Sequence, residues 1–251
     1  MQSFIFIDLD DTLFQSLRKC GQSIDPRMLK PRAYLRDGSV ISYATPKQQR
    51  LWQWLSGGGR MIPVTARNFD AFSRVDLPFT EEAVLNHGAV ILDKNRRLDP
   101  EWQSRMADML PPYHRDLLDL WEQVQCHARH EPALKPRLIE DFGVTWYGVV
   151  KHAAADEEAL DKLLNAVIRP HEAVLSGRLY YHFNGNNLAV IPDVIGKANA
   201  VSFLKERYAR LHGPILTIGM GDSKTDIPFM SLCDYAMIPK TSQLGGLFHH
   251  V

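Results

Sequence analysis

Four consecutive apolar residues, Phe4-Ile5-Phe6-Ile7, run directly into Asp8-Leu9-Asp10-Asp11-Thr12. An apolar run without polar alternation reads as a strand buried on both faces, and such strands belong to parallel sheets covered by helices. The abrupt change to acids marks the strand's carboxyl end, where open parallel sheets bind their ligands. The next segment agrees with this. Thr45 can cap a helix with Pro46 at its first position, Lys47 to Ser56 is compatible with helix, and Gly57-Gly58-Gly59 stops it. Arg60 to Thr65 then reads as a second strand and Ala83 to Leu85 as a short third. The order strand, helix, strand requires a crossover, and hence parallel pairing.

The same theme returns near the C-terminus. Val201, Leu204, Tyr208 and Leu211 share one helical face, and Pro214 to Gly219 is an apolar run that ends in Gly219-Met220-Gly221-Asp222. Between these segments the texture differs. A long helical stretch spans Glu101 to about Ala128, two strands flank Asp141-Phe142-Gly143, and Asp156 can cap a second helix carrying Leu160, Leu163, Leu164 and Val167. Three short strands are expected to follow, with turns at Ser176-Gly177 and Asn184-Gly185. The expected fold class is therefore α/β: a doubly wound parallel sheet formed by residues 1–88 and 192–251, with a smaller α/β domain containing an antiparallel sheet inserted at 89–191.

The strand ends carry the chemistry. Asp8 and Asp10 follow the first strand, Thr65 the second, and Asp222 the late one, with Asp226 four residues on; Lys197 precedes the helix leading to that late strand. Mg²⁺ prefers oxygen ligands and retains waters, so a carboxylate from each of two loops plus a substrate phosphate suffices for a site, and Asp8 and Asp222 fit. Phosphoryl transfer needs positioning and positive charge around the phosphoryl oxygens, which the metal, Lys197 and Thr65 would supply. An aspartate can act as nucleophile. A second acid two residues on, Asp10, would then protonate the leaving alcohol and activate the hydrolytic water.

These residues, in this order, resemble the four motifs of the haloacid dehalogenase (HAD) superfamily of phosphatases: Asp8-Leu9-Asp10-Asp11-Thr12, Val64-Thr65-Ala66-Arg67, Lys197, and Gly221-Asp222-Ser223-Lys224-Thr225-Asp226. The resemblance implies a Rossmann-like core with Asp8 as nucleophile and Asp10 as acid/base. It implies phosphate binding by Thr65, Ala66 and Lys197, and Mg²⁺ ligation by Asp8, Asp222 and the carbonyl of Asp10. Thr12, Arg67, Ser223 and Asp226 take supporting positions, Arg67 as either a phosphate ligand or a partner in an ion pair. The insertion is similar to the α/β caps of the Cof-like, sucrose-phosphatase and mannosyl-phosphoglycerate-phosphatase branch, where Lys151, His182, Asn184 and Asn187 are candidates for substrate contact. The chain departs from that branch at Thr225, where Asn is usual, and in having Asn86-His87-Gly88-Ala89 for Asn-Gly-Ala.

Composition excludes several classes. Lys plus Arg and Asp plus Glu are both 29, so no global positive charge suggests nucleic acid as a partner. No apolar run is long enough to span a membrane, and the three widely spaced cysteines suit free thiols, so a cytoplasmic location is expected. His87, His152, His171 and His182 lack paired ligand spacing and read as hydrogen-bonded structural residues, and Trp52 and Trp54 read as helix packing. The expected activity is Mg²⁺-dependent hydrolysis of a phosphomonoester of a small metabolite, such as a sugar phosphate, through an aspartyl-phosphate on Asp8. A sugar phosphomutase and a non-catalytic phosphometabolite-binding protein remain as alternatives, and the oligomeric state is open.

Overall fold

The computed structural model describes residues 1–21 and 23–250, the last three without their side chains. The described chain divides into two compact units, Met1–Gln103 together with the residues from Gly196 onward, and Ser104–Ile195.

The larger unit is built on a parallel sheet with strands in the order Tyr235–Met237, Ile215–Met220, Gln2–Ile7, Arg60–Pro63. Phe4, Ile5, Phe6 and Ile7 are all buried although neighbours point to opposite faces, so the central strand is covered on both sides. The helix Pro46–Ser56 connects two of these strands, and its start is fastened by a reciprocal capping box between Thr45 and Gln48. The helix Lys197–His212 leads into Ile215–Met220; it buries Val201, Leu204 and Tyr208, and Tyr208 stacks on Phe4 with ring centroids 4.1 Å apart. Leu211, expected on that buried face, is exposed near the helix end. Register fixes the position of the loops. Ile7 lies opposite both Met220 and Pro63, and the ladder runs one residue further through Asp8 N donating to Met220 O and Val64 N donating to Ile7 O, each 2.8 Å.

Three features of this unit were not read from the pattern. Lys30–Tyr34 and Val40–Ala44 form an antiparallel hairpin, and Tyr235–Met237 adds an edge strand. Ala83–Leu85 touches the sheet through a parallel bridge between Val64 and Val84, yet its own ladder is antiparallel, to Val90–Leu92. That pairing draws the residues after 88 into the larger unit. Trp102 extends it further, packing on Phe203 with centroids 5.0 Å apart and donating from its indole to Gly88 O and Ala89 O. The change of unit thus falls at 103/104 and 195/196, later than the 88/89 and 191/192 read from the sequence.

The smaller unit is an antiparallel sheet, Leu134–Asp141, Val144–His152, Leu188–Pro192, Leu179–Phe183 in spatial order. Phe142 and Gly143, both at positive φ, make the tight turn joining its first two strands. Helices cover one face: Leu117, Leu120, Trp121 and Val124 with Leu160, Leu163 and Leu164 pack on Leu134, Val150, Leu188 and Val190. The expected long helix is two, Pro100–Met109 and Pro111–Ala128, because Pro111-Pro112 cannot continue the first helix's hydrogen bonds. Two strands, not three, follow the Asp156-capped helix Glu157–Leu163. No helix among the described residues is long and apolar enough to cross a membrane.

Gly148 faces Trp121 so closely that an added Cβ would lie 2.2 Å from the indole ring. Gly148→Ala should therefore destabilise this unit by about 1–3 kcal/mol through overpacking. Urea unfolding followed by tryptophan fluorescence measures it, and an unchanged midpoint would contradict the packing described.

Candidate active site

Because the ladder continues to Asp8 and Val64, the loops after three adjacent strands emerge side by side at one edge of the larger unit. In the first loop Leu13 N donates to Leu9 O and Asp11 N to Phe14 O, a tight turn that places Asp11 at φ 62°. Asp8 stays buried at the start of the turn, with the Thr12 hydroxyl 3.4 Å from its Oδ2. Lys197 Nζ donates to Asp8 Oδ1 and to Asp226 Oδ1, 2.7 Å each. Asp226 Oδ2 accepts from Ser223 Oγ (2.7 Å), Ser223 N (3.0 Å) and Asp222 N (3.2 Å), so this one carboxylate holds both Lys197 and the loop that carries Asp222. A Cβ on Gly221 would lie 2.4 Å from Asp226 Cβ, which explains glycine there. The Thr225 hydroxyl is 2.8 Å from the Ser223 hydroxyl and supports the same loop.

Lys197 opens its helix after Gly196. The turn Asn86–Gly88 packs beneath that start, with Asn86 and His87 at positive φ and Gly88 so close that a Cβ would lie 2.3 Å from Gly196 O. The same turn holds the second loop: His87 N donates to Thr65 O and Asn86 N to Arg67 O. Thr65 is buried, and its Oγ1 accepts from Arg67 N at 3.1 Å, which leaves the hydroxyl hydrogen available to another acceptor. Arg67 directs its guanidinium to Asp10, with Nε to Oδ2 and Nη2 to Oδ1 both 2.7 Å. Of the two roles left open for Arg67, the structure displays the ion pair.

The electrostatics follow from burial. Burial raises the Asp8 carboxyl well above the usual range; Lys197 opposes that shift and Asp226 adds to it. Burial acts to lower Lys197, but Asp8 and Asp226 together keep its ammonium charged. Asp226 goes down despite burial, because Lys197 and the Ser223 donors stabilise its charge. Asp222 is pushed up to about 7, first by burial and then by Asp226 and Asp11. One oxygen from each of Asp8, Asp222 and Asp226 falls within 4.8 Å of the others, a grouping that could hold a metal ion. Three carboxylates against one ammonium leave an excess of negative charge, which a divalent cation would offset. The Asp10 side chain is turned to Arg67 and stands outside this trio.

Lys19, which the sequence did not single out, pairs with Asp11 at 2.5 Å and also lowers the Asp222 carboxyl. It lies eight residues on, at the end of the single-turn 3-10 helix Leu17–Lys19, and no periodicity could have flagged it. In the smaller unit Lys151 and His182 alternate with the helix-packed Val150 and Phe183, so they share the sheet's opposite face. Burial and Arg137 lower the Lys151 ammonium. Asn184 and Asn187 close a turn, Asn184 N donating to Asn187 O at 3.0 Å, while their neighbour Asn186 clasps the His152 backbone. His152 and His171 accept backbone hydrogen bonds at helix starts, as structural histidines do. Trp52 packs edge-on against Phe79, whereas Trp54 is exposed.

No family model and no curated protein matches the chain. Among solved structures it is similar to the sucrose-phosphatase of Synechocystis sp. PCC6803 in complex with sucrose and phosphate (17% identity, TM-score 0.55, covering 100% of this chain and 88% of that one). It is also similar to the C-terminal domain of C. albicans trehalose-6-phosphate phosphatase (12%, 0.59, 92% and 73%) and to a trehalose-6-phosphate phosphatase related protein (17%, 0.52, 94% and 85%). The chain therefore shares the fold of these phosphatases, an α/β core with a smaller inserted α/β domain, which is the fold class expected from its sequence.

Two outcomes are expected. Lys197→Ala leaves Asp8 and Asp226 buried without their cation and should cost about 3–5 kcal/mol of stability, measurable by chemical denaturation. Asp222 binds a proton in the folded state between its usual pKa of 3.8 and about 7, so its ionisation weakens folding as pH rises through that window. A cation bound to Asp222 must displace that proton. The thermal stabilisation given by saturating Mg²⁺ should thus be larger well above pH 7 than well below it, and an equal shift at both would show that Asp222 takes no part in binding.

Proposed function

We propose that this chain is a phosphohydrolase that removes phosphate from a small phosphorylated metabolite, a sugar phosphate being the class favoured by its structural neighbours. The observation that carries the reading is the convergence of Asp8, Lys197, Asp226 and Asp222 at the ends of adjacent parallel strands, bound into one hydrogen-bonded group.

In this reading an Asp8 oxygen attacks phosphorus and the bond to the leaving oxygen breaks, giving an aspartyl-phosphate. Asp10 donates a proton to the leaving alkoxide, then takes one from the water that attacks phosphorus and releases Asp8. Lys197 and the Thr65 hydroxyl, with the backbone at Ala66, bind the phosphoryl oxygens as charge moves among them. Lys197 also lets Asp8 approach a phosphate dianion, which an uncompensated carboxylate would repel. Mg²⁺, held by Asp8, Asp222 and the carbonyl of Asp10, would supply further positive charge to the same oxygens. Ser223 and Asp226 keep the Asp222 loop and Lys197 in register, and Thr12 supports Asp8. Lys151, His182, Asn184 and Asn187 are the candidates for recognising the rest of the substrate.

The test is phosphate release from a panel of phosphorylated metabolites, with Mg²⁺ and with chelator, for wild type and Asp8→Asn. Mg²⁺-dependent release from at least one sugar phosphate is expected, lost by a factor of at least about 10³ in Asp8→Asn with the fold retained by circular dichroism. Product that keeps its phosphate on another hydroxyl would favour a mutase, and binding without turnover a regulatory role.

A further inference from the structure

The guanidinium of Arg67 is held on three sides. Its fork takes both oxygens of Asp10, Nη1 donates to Ala71 O at 3.3 Å, and its carbon lies 5.2 Å from the centroid of the buried Phe14 ring. Its backbone is fixed as well, N to Thr65 Oγ1 and O from Asn86 N. The two partners differ in exposure: the Arg67 side chain is 11% accessible and that of Asp10 49%. A largely enclosed, multiply anchored group therefore holds an exposed one. Phe14 is tied to the same turn, since Asp11 N donates to Phe14 O.

We propose that Arg67 is a positioning residue for Asp10 and not a ligand of the substrate phosphate. The inference rests on the phosphatase reading above. A side chain that must deliver a proton to one oxygen and later accept one from water has to be held in a single orientation. A bidentate arginine fork on a carboxylate defines both its plane and its direction. Arg67 also offsets the Asp10 charge that would otherwise oppose an incoming phosphate dianion. Lysine has one cationic centre and no planar fork, so it cannot replace arginine here.

Two measurements on Arg67→Ala and Arg67→Lys decide the matter. The first compares an alkyl phosphate ester with 4-nitrophenyl phosphate, whose leaving group departs without a proton. Arg67→Ala should lose roughly 10- to 100-fold in kcat on the alkyl ester. Its KM should stay near wild type, release of nitrophenol in the first turnover, a step that needs no acid, should suffer much less than first-turnover release of the alcohol, and added guanidinium should restore part of the loss; Arg67→Lys should remain impaired. A rise in KM with kcat kept, or equal first-turnover losses on both esters, would assign Arg67 to phosphate binding and overturn the proposal. The second measurement needs no turnover: a crystal structure of Arg67→Ala should show the Asp10 carboxylate in more than one rotamer, and an Asp10 unmoved from its present orientation would overturn the proposal on its own. Failure of the phosphatase reading shows separately, as wild type that releases no phosphate from either ester.

Discussion

A buried ammonium between two buried carboxylates organises the larger unit's strand-end edge. Lys197 stands 189 positions from Asp8 in sequence and 2.7 Å from it in space, and it is equally close to Asp226. Asp226 could not stay ionised at such burial without a cation, and the ammonium could not stay charged without its carboxylate partners. The pairing also sets geometry. It draws the start of one helix, the turn after the first strand and the loop after the late strand to a single point, and Asp226 transmits that constraint to the backbone at Asp222 and Ser223.

The acids of the first turn are compensated one by one. Asp8 meets Lys197, Asp10 meets Arg67 and Asp11 meets Lys19. Asp222 makes no side-chain ion pair among the described residues, and its carboxyl is the one driven to about 7. The larger unit thus meets the acids of its first turn with its own cations, whereas Asp222 has no such partner among the described residues. This separation assigns distinct parts of one small turn to distinct tasks: Asp8 towards the buried ammonium and the acid trio, Asp10 towards the arginine fork.

The sequence made much of this legible because the signals were local. The change from Phe4-Ile5-Phe6-Ile7 to acids marks a covered strand and its ligand-facing end, and Thr45-Pro46 marks a helix start; both are matters of neighbouring residues. The readings that differed depended on partners distant in sequence. Ala83–Leu85 looked like one more parallel strand, since three apolar residues carry no information on the direction of their partner, and Val90–Leu92 supplied an antiparallel one. The boundary near 88 moved because that hairpin and Trp102 found their burial in the larger unit. Leu211 fits the helical period but lies where the helix end is uncovered.

By itself, then, the sequence determined most of the element types, the parallel core with its inserted antiparallel sheet, and the set of acids, hydroxyl and lysine at strand ends and a helix start. Periodicity, caps and the order of motifs are written in short stretches of chain, which is why they could be read. Only the tertiary structure decided who pairs with whom: Arg67 with Asp10, Lys19 with Asp11, Asp226 with Lys197 and the Asp222 loop, and Gly88 against Gly196 beneath the lysine. Those choices depend on the register of distant strands and on how deeply each charge is buried, and both are properties of the packed chain rather than of any stretch of it.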